Sequence, residues 1–185
     1  MVNDWSSVLD CDQENEDRDA LYLKDVFRMA SDHSTDPNTQ VAAALVSFGW
    51  LSGIVLAGWN EVPGGLAAVG YPKTLIDKNY CTEHAERRVL YKAVENGIRT
   101  NGLQLYGTWV GCSECARAII QFGIRRVVTF SALVEQTPPR WSESVWHGLN
   151  MMKDSGIQVV GWRGEIVTDK TIRFDGRVIS GKDLV

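Results

Sequence analysis

The stretch EHAERRVLYKAVENGIRTNGLQLYGTWVGCSECARAIIQFGIRRVVTF, residues 83–130, decides the fold. It reads helix, strand, helix, strand. Residues 83–97 form a helix that Thr82 can cap, with Glu83 and Glu86 suited to its positive end and Gly97 ending it. LQLYGTWV (103–110) is a strand, CSECARAIIQFG (112–123) a helix and IRRVVTF (124–130) a second strand. Strands joined by a helical crossover lie parallel.

Working outward, SESVWHGLNMMKDSG and IQVVGW repeat the helix–strand unit, after a loop carrying Pro138 and Pro139. Upstream, VAAALVSF and SGIVLAGW form a hairpin with a tight turn near Gly49–Gly53. Before it, a helix starts near Asp19, with Leu21, Val26, Phe27, Met29 and Ala30 on one face, and STDPNT breaks it. Residues 60–82, rich in Gly and Pro, form a long loop. EIVTDKTIRFDGRVIS reads as a last hairpin turning at Asp175–Gly176. This order predicts an α/β fold: a three-layer α/β/α sandwich with a mixed five-stranded sheet whose last three strands are parallel, plus a C-terminal hairpin extension. The expected divisions are an acidic lead-in at 1–18, a main domain at 19–163 and a hairpin tail at 164–185. The acidic run 10–19 is expected in solvent, as are Arg125 and Arg126.

The composition, 44% hydrophobic and 23% charged, is that of a globular protein. No apolar run approaches the roughly 20 residues of a membrane helix, and the acidic N-terminus lacks the pattern of a secretory signal. We therefore expect a cytoplasmic protein without a membrane partner. A net charge of −4 argues against sequence-independent binding to nucleic acid. In that compartment the four cysteines are expected as thiols or metal ligands rather than disulfides.

Cys112 and Cys115 alone read as a redox pair, half a metal site or two buried thiols. His84-Ala85-Glu86 at the head of the other helix changes the balance. One His and two Cys suit zinc, and a helix N-terminus favours the thiolate. Structural zinc takes four protein ligands, whereas catalytic zinc keeps a position for water, and three are counted here. Glu86 in the first turn can reach the same cavity and move a proton. The bland reading of Glu86 is a helix-start carboxylate favoured by the dipole.

His-x-Glu followed by Cys-x-x-Cys resembles the zinc-dependent cytidine deaminase superfamily. SDHSTDPNTQVAAALV, AGWNEVPGG, EHAER and ARAIIQFGIRRVV extend the likeness from about Ser31 to Trp162, and within the superfamily the chain is most similar to the deoxycytidylate deaminase branch. The resemblance implies Zn2+ held by His84, Cys112 and Cys115, with Glu86 shuttling a proton. Water then adds at C4 of a cytosine ring and ammonia leaves. It implies a free cytosine nucleotide as substrate, foremost dCMP going to dUMP. It also implies that the Ala85 backbone N–H holds the base carbonyl, that Asn60 contacts the sugar and ring, and that Asn38 and Thr39 lie near substrate. Oligomers and regulation by deoxynucleoside triphosphates are common in that family. A homo-oligomer and an effector site in the 60–80 loop follow as expectations.

Two positions depart from the family pattern. Gly111 stands where Pro usually precedes the first Cys. It supplies no ligand, so zinc is expected to survive, with a widened cavity wall. Arg88 stands where the branch commonly has Asn, and could contact a phosphate or lie on the solvated helix face. Both leave open a different small substrate: a modified or triphosphate cytosine nucleotide, a nucleoside or a free base. A non-catalytic zinc module of the same fold is the remaining alternative. Trp109 reads as core at a strand end, while Trp141 and Phe130 read as stacking on a base or on a partner subunit.

Overall fold

The computed structural model describes residues 4–49 and 52–185; the middle of the turn expected near Gly49–Gly53 lies outside them. Helix α1 spans Glu16–His33. The hairpin follows as β1 (Ala42–Ser47) and β2 (Gly53–Trp59). Two short helices, α2 (Gly64–Ala68) and α3 (Leu75–Cys81), precede α4 (Ala85–Glu95). Then come β3 (Gln104–Gly107), α5 (Ser113–Gln121), β4 (Arg126–Phe130), α6 (Ser131–Glu135), α7 (Pro139–Asp154) and β5 (Gln158–Trp162). A separate hairpin, β6 (Thr171–Phe174) and β7 (Arg177–Ser180), comes last.

The five-stranded sheet has the order β2-β1-β3-β4-β5. β1 runs antiparallel to β2 and β3, and β3, β4 and β5 are parallel, as the helical crossovers require. α1 packs across one face, and α4, α5 and α7 cover the other. β1 is therefore enclosed on both sides, which is why AAALV is apolar throughout rather than alternating. None of the described helices is long and apolar enough to cross a membrane.

Several local expectations are corrected. The 60–82 segment is not irregular throughout: Thr74 and Asp77 form a reciprocal capping box that starts α3. Thr82 ends α3 instead of capping α4, whose N-cap is His84. Phe130 is fully buried against Phe27 and Trp162, which leaves its ring no open face on which a base or a partner subunit could stack.

Residues 8–19 are not a solvated tail. Val8 joins the main core, and Asp10 makes a parallel bridge to Val160 beside β5. Arg126, expected in solvent, is 4% exposed. Its guanidinium bonds Asp19 at 2.6 Å and Asp12 at 2.7 Å, and Asp19 also accepts from the Tyr106 hydroxyl at 2.7 Å. A buried Arg needs such partners, and the acidic run supplies them.

The C-terminal hairpin turns at Asp175–Gly176 as expected, both with positive φ (52° and 77°), the geometry of a type I′ turn. Ile172, Phe174 and Ile179 are buried in the same core as the sheet. The Gln40 N–H donates to the Arg173 carbonyl at 2.7 Å and the Arg173 N–H to Gln40 Oε1 at 2.9 Å.

Candidate active site

Two helices converge at the C-terminal end of β3. His84 is the N-cap of α4 and Cys112 the N-cap of α5, and neither side chain caps its own helix. Both side chains are thereby free for another task, at points where two helix dipoles favour negative charge. Cys115 lies one turn inside α5. Ser144 of α7 accepts the Ser113 N–H at 3.1 Å, bracing the start of α5.

His84 Nδ1 lies 3.7 Å from Cys112 Sγ and 3.5 Å from Cys115 Sγ, and the two sulfurs are 3.7 Å apart. Zinc bonds of about 2.3 Å to sulfur and about 2.05 Å to nitrogen in a tetrahedron place S and S about 3.8 Å apart and S and N about 3.55 Å apart. The three edges match, so these residues fit zinc and form its site. Among the described residues this is the one His/Cys/Asp/Glu group assembled for a metal.

The two thiols share a charge. Cys112 is pushed down to about 3 by the hydrogen bond from Cys115 and by His84, while the donating role and burial push Cys115 up. Arg87 reaches Cys115 Sγ at 3.7 Å and is anchored by Glu83 at 2.6 Å and Glu114 at 3.1 Å. It neutralises the thiolates from outside the ligand set. Sequence reasoning passed over Arg87, although its i,i+4 spacing from Glu83 was a readable signal.

Glu86 is 2% exposed, yet its carboxylate borders the cavity, 3.6 Å from Cys115 Sγ. Burial raises its affinity for a proton. A buried carboxylate that holds and releases a proton beside a metal is suited to general acid–base work.

Asn60, just past β2, is 8% exposed and lines the cavity. Its Oδ1 accepts the Ala85 N–H at 3.0 Å and its Nδ2 donates to the Thr39 carbonyl at 3.1 Å. The Ala85 N–H expected to face a base carbonyl is thus engaged by Asn60. Asn38 and Thr39 line the cavity, their N–H groups held by Asp36 Oδ1 at 2.8 and 2.9 Å. Trp109 is core and also cavity wall: its ring packs on Phe174 and its Nε1 donates to Thr137. Trp141 sets its edge against His84 at 5.7 Å and lines the same cavity, which places it beside the metal ligands.

Two expectations change. Gly111 lines the cavity but opens no extra room. A Cβ there would meet Cys115 Cβ at 2.5 Å and Glu86 Cδ at 3.6 Å, so the glycine is required by close approach. Arg88 does not reach the cavity. It lies roughly 200° round the helix from Glu86, where Glu61 at 2.5 Å and Glu95 at 3.3 Å hold it.

A mixed sheet with one His and two Cys gathered at paired helix starts, and a buried carboxylate beside them, defines a zinc-dependent hydrolase. The sequence model described as the cytidine and deoxycytidylate deaminase zinc-binding region matches residues 16–131. This chain belongs to that family of zinc-dependent hydrolytic deaminases. It is 30% identical over 173 residues to a probable deoxycytidylate deaminase of Drosophila melanogaster, covering 85% of this chain and 79% of that one. It is 31% identical over 118 residues to human deoxycytidylate deaminase, covering 60% of this chain and 63% of the relative. The chain therefore spans under two thirds of the human relative. The crystal structure of cyanophage S-TIM5 dCMP deaminase in complex with dCMP and dUMP shares the fold, with a TM-score of 0.59 at 22% identity over 82% of this chain and 99% of that one.

Proposed function

We propose that this protein deaminates a free cytosine nucleotide, converting dCMP and water to dUMP and ammonia. The observation that carries the reading is Glu86, buried to 2% exposure at the wall of the cavity that His84 and Cys112 also line. The identity to curated deoxycytidylate deaminases supports dCMP as the nucleotide.

His84, Cys112 and Cys115 hold the metal through one nitrogen and two thiolates. When bound there, zinc acts as a Lewis acid and lowers the pKa of water. Glu86 takes one proton from the attacking water and delivers it to the ring nitrogen N3, then takes the remaining proton of the new C4 hydroxyl and delivers it to the amine, so the C4–N bond breaks, C4=O forms and ammonia leaves. Asn60 and the Asn38–Thr39 loop form the sugar side of the cavity, and Ala85 acts through the Asn60 carboxamide that its N–H fixes. Gly111 lets the 111–115 turn close beneath the ring. Arg88 is given no part in binding.

We place the catalytic residues within 19–163, in a protein that works in the cytoplasm as a homo-oligomer. The 60–80 segment, where Val69, Ile76 and Tyr80 are exposed, is the place for a subunit contact or a triphosphate effector. The test is ammonia release by the zinc-loaded protein from dCMP against the free base, nucleoside and triphosphate. Glu86→Gln should keep about one zinc per chain and lose about 10²–10⁴-fold in turnover. Equal loss of zinc and activity in that variant, or no turnover of dCMP by the parent protein, overturns the reading.

A further inference from the structure

Both cations lining the cavity are paired, but in different ways. Lys78 meets Asp36 at 2.8 Å, with side-chain exposures of 17% and 5%. The same Asp36 oxygen already accepts the N–H groups of Asn38 and Thr39. Lys78 is thus locked into the scaffold of the loop. Arg140, at the start of α7, is 55% exposed, and its side chain is tied by one bond, from Nη2 to Asp175 Oδ1 at 2.5 Å. A guanidinium has five N–H donors in a planar fork, so most of this one stays available.

Asp175 is itself well fixed. It sits in the β6–β7 turn, and the next N–H, of Gly176, donates to the Asn38 carbonyl at 2.9 Å. The turn therefore fastens the cavity loop and presents a carboxylate to Arg140 at once. Both residues lie beyond 16–131, the part of the chain that the family model matches.

We infer that Arg140, positioned by Asp175 of the C-terminal hairpin, is the group that recognises the 5′-phosphate of the substrate and so selects nucleotide over nucleoside. This rests on the proposed deaminase reading. The planar fork suits two phosphate oxygens while Nη2 keeps its bond to Asp175. An exposed ion pair restrains Arg140 weakly, so the fork can adjust on binding.

The test compares kcat and KM for dCMP and deoxycytidine in the zinc-loaded protein and in Arg140→Gln, Asp175→Ala and Asp175→Asn. Arg140→Gln should lower the dCMP-to-deoxycytidine ratio of kcat/KM by about tenfold or more, the loss lying in KM for dCMP. Asp175→Ala should raise the same KM severalfold, and Asp175→Asn, which keeps an acceptor oxygen, should recover most of it. An unchanged ratio in Arg140→Gln overturns the inference and leaves the deaminase reading standing. A lower KM in Asp175→Ala overturns the positioning role, making Asp175 a competitor of the phosphate. No turnover of either compound by the parent protein overturns the deaminase reading itself.

Discussion

Asn60 and Ala85 lie 25 positions apart in sequence and are joined by one bond, from the Ala85 backbone N–H to Asn60 Oδ1 at 3.0 Å. The bond ties the end of β2 to the first turn of α4, the turn that carries Glu86. Through Nδ2 the same side chain holds the Thr39 carbonyl, so one amide aligns three segments of the cavity. Asn60→Ala leaves a buried N–H without a partner and releases the 38–39 loop. We expect kcat/KM for dCMP to fall about 10–100-fold, with zinc content unchanged. Kinetics beside metal analysis checks this, and zinc loss in the variant would count against the bond's role in alignment.

Gly111→Ala tests the close contact with Cys115. Replacing Gly by Ala at a backbone position that tolerates it usually stabilises a protein by about 0.4–1 kcal/mol. Here the added carbon would stand 2.5 Å from Cys115 Cβ, which is fixed to the helix backbone and yields little. We expect destabilisation of about 1–3 kcal/mol and weaker zinc retention against a chelator. A variant as stable as the parent would show that the turn has slack.

Arg126→Gln removes the cation from a buried network. Asp19, fully buried, would keep a carboxylate with only Tyr106 and the new amide nearby. A loss of about 3–5 kcal/mol is expected in urea denaturation, as for other broken buried pairs. Adding Asp19→Asn should cost less than the sum of the two single changes, because each already removes the same interaction. Strict additivity would dismiss the pairing.

Stability should also fall in acid through the lead-in. Burial pushes the Asp12 carboxyl up, but its bond from Asn15 and the charge of Arg126 outweigh that and hold it below the ordinary 3.8. Asp175 is likewise lowered, first by its bond from Arg140. The unfolded chain therefore takes up these protons first. The stabilisation is present in full above about pH 3.8 and is lost as pH falls through the lower folded values. Urea midpoints from pH 6 to pH 2.5 should drop less steeply in Asp12→Asn than in the parent. Parallel curves would remove Asp12 from the account.

The metal site was legible because its parts are local. His84-Ala85-Glu86 and Cys112–Cys115 each occupy one helix start, and α/β patterning alone carries those two starts to the same end of the sheet. The parallel order of β3, β4 and β5 followed from the same crossovers. The pairs that complete the cavity were not legible: Asp36 with Lys78, Gln40 with Arg173, Arg140 with Asp175. Each joins surface-type residues far apart in sequence, and nothing in the spacing of either partner names the other. Arg126 misled for the same reason, since an arginine at a strand start looks solvated until α1 supplies Asp19. Gly111 misled differently. A missing side chain suggests space, but here another residue fills it.

The hairpin that fastens the cavity loop has a bearing on how the molecule is made. Gln40 and Arg173, which exchange two hydrogen bonds, are 133 positions apart. A ribosome adding about 5–20 residues per second finishes the second zinc-bearing helix, at Gln121, about 3–10 seconds before it reaches Arg173. The growing chain can thus gather its metal ligands while the rim of the cavity is still open. On the role inferred for Arg140 and Asp175, selection of the nucleotide follows metal binding in the growing chain.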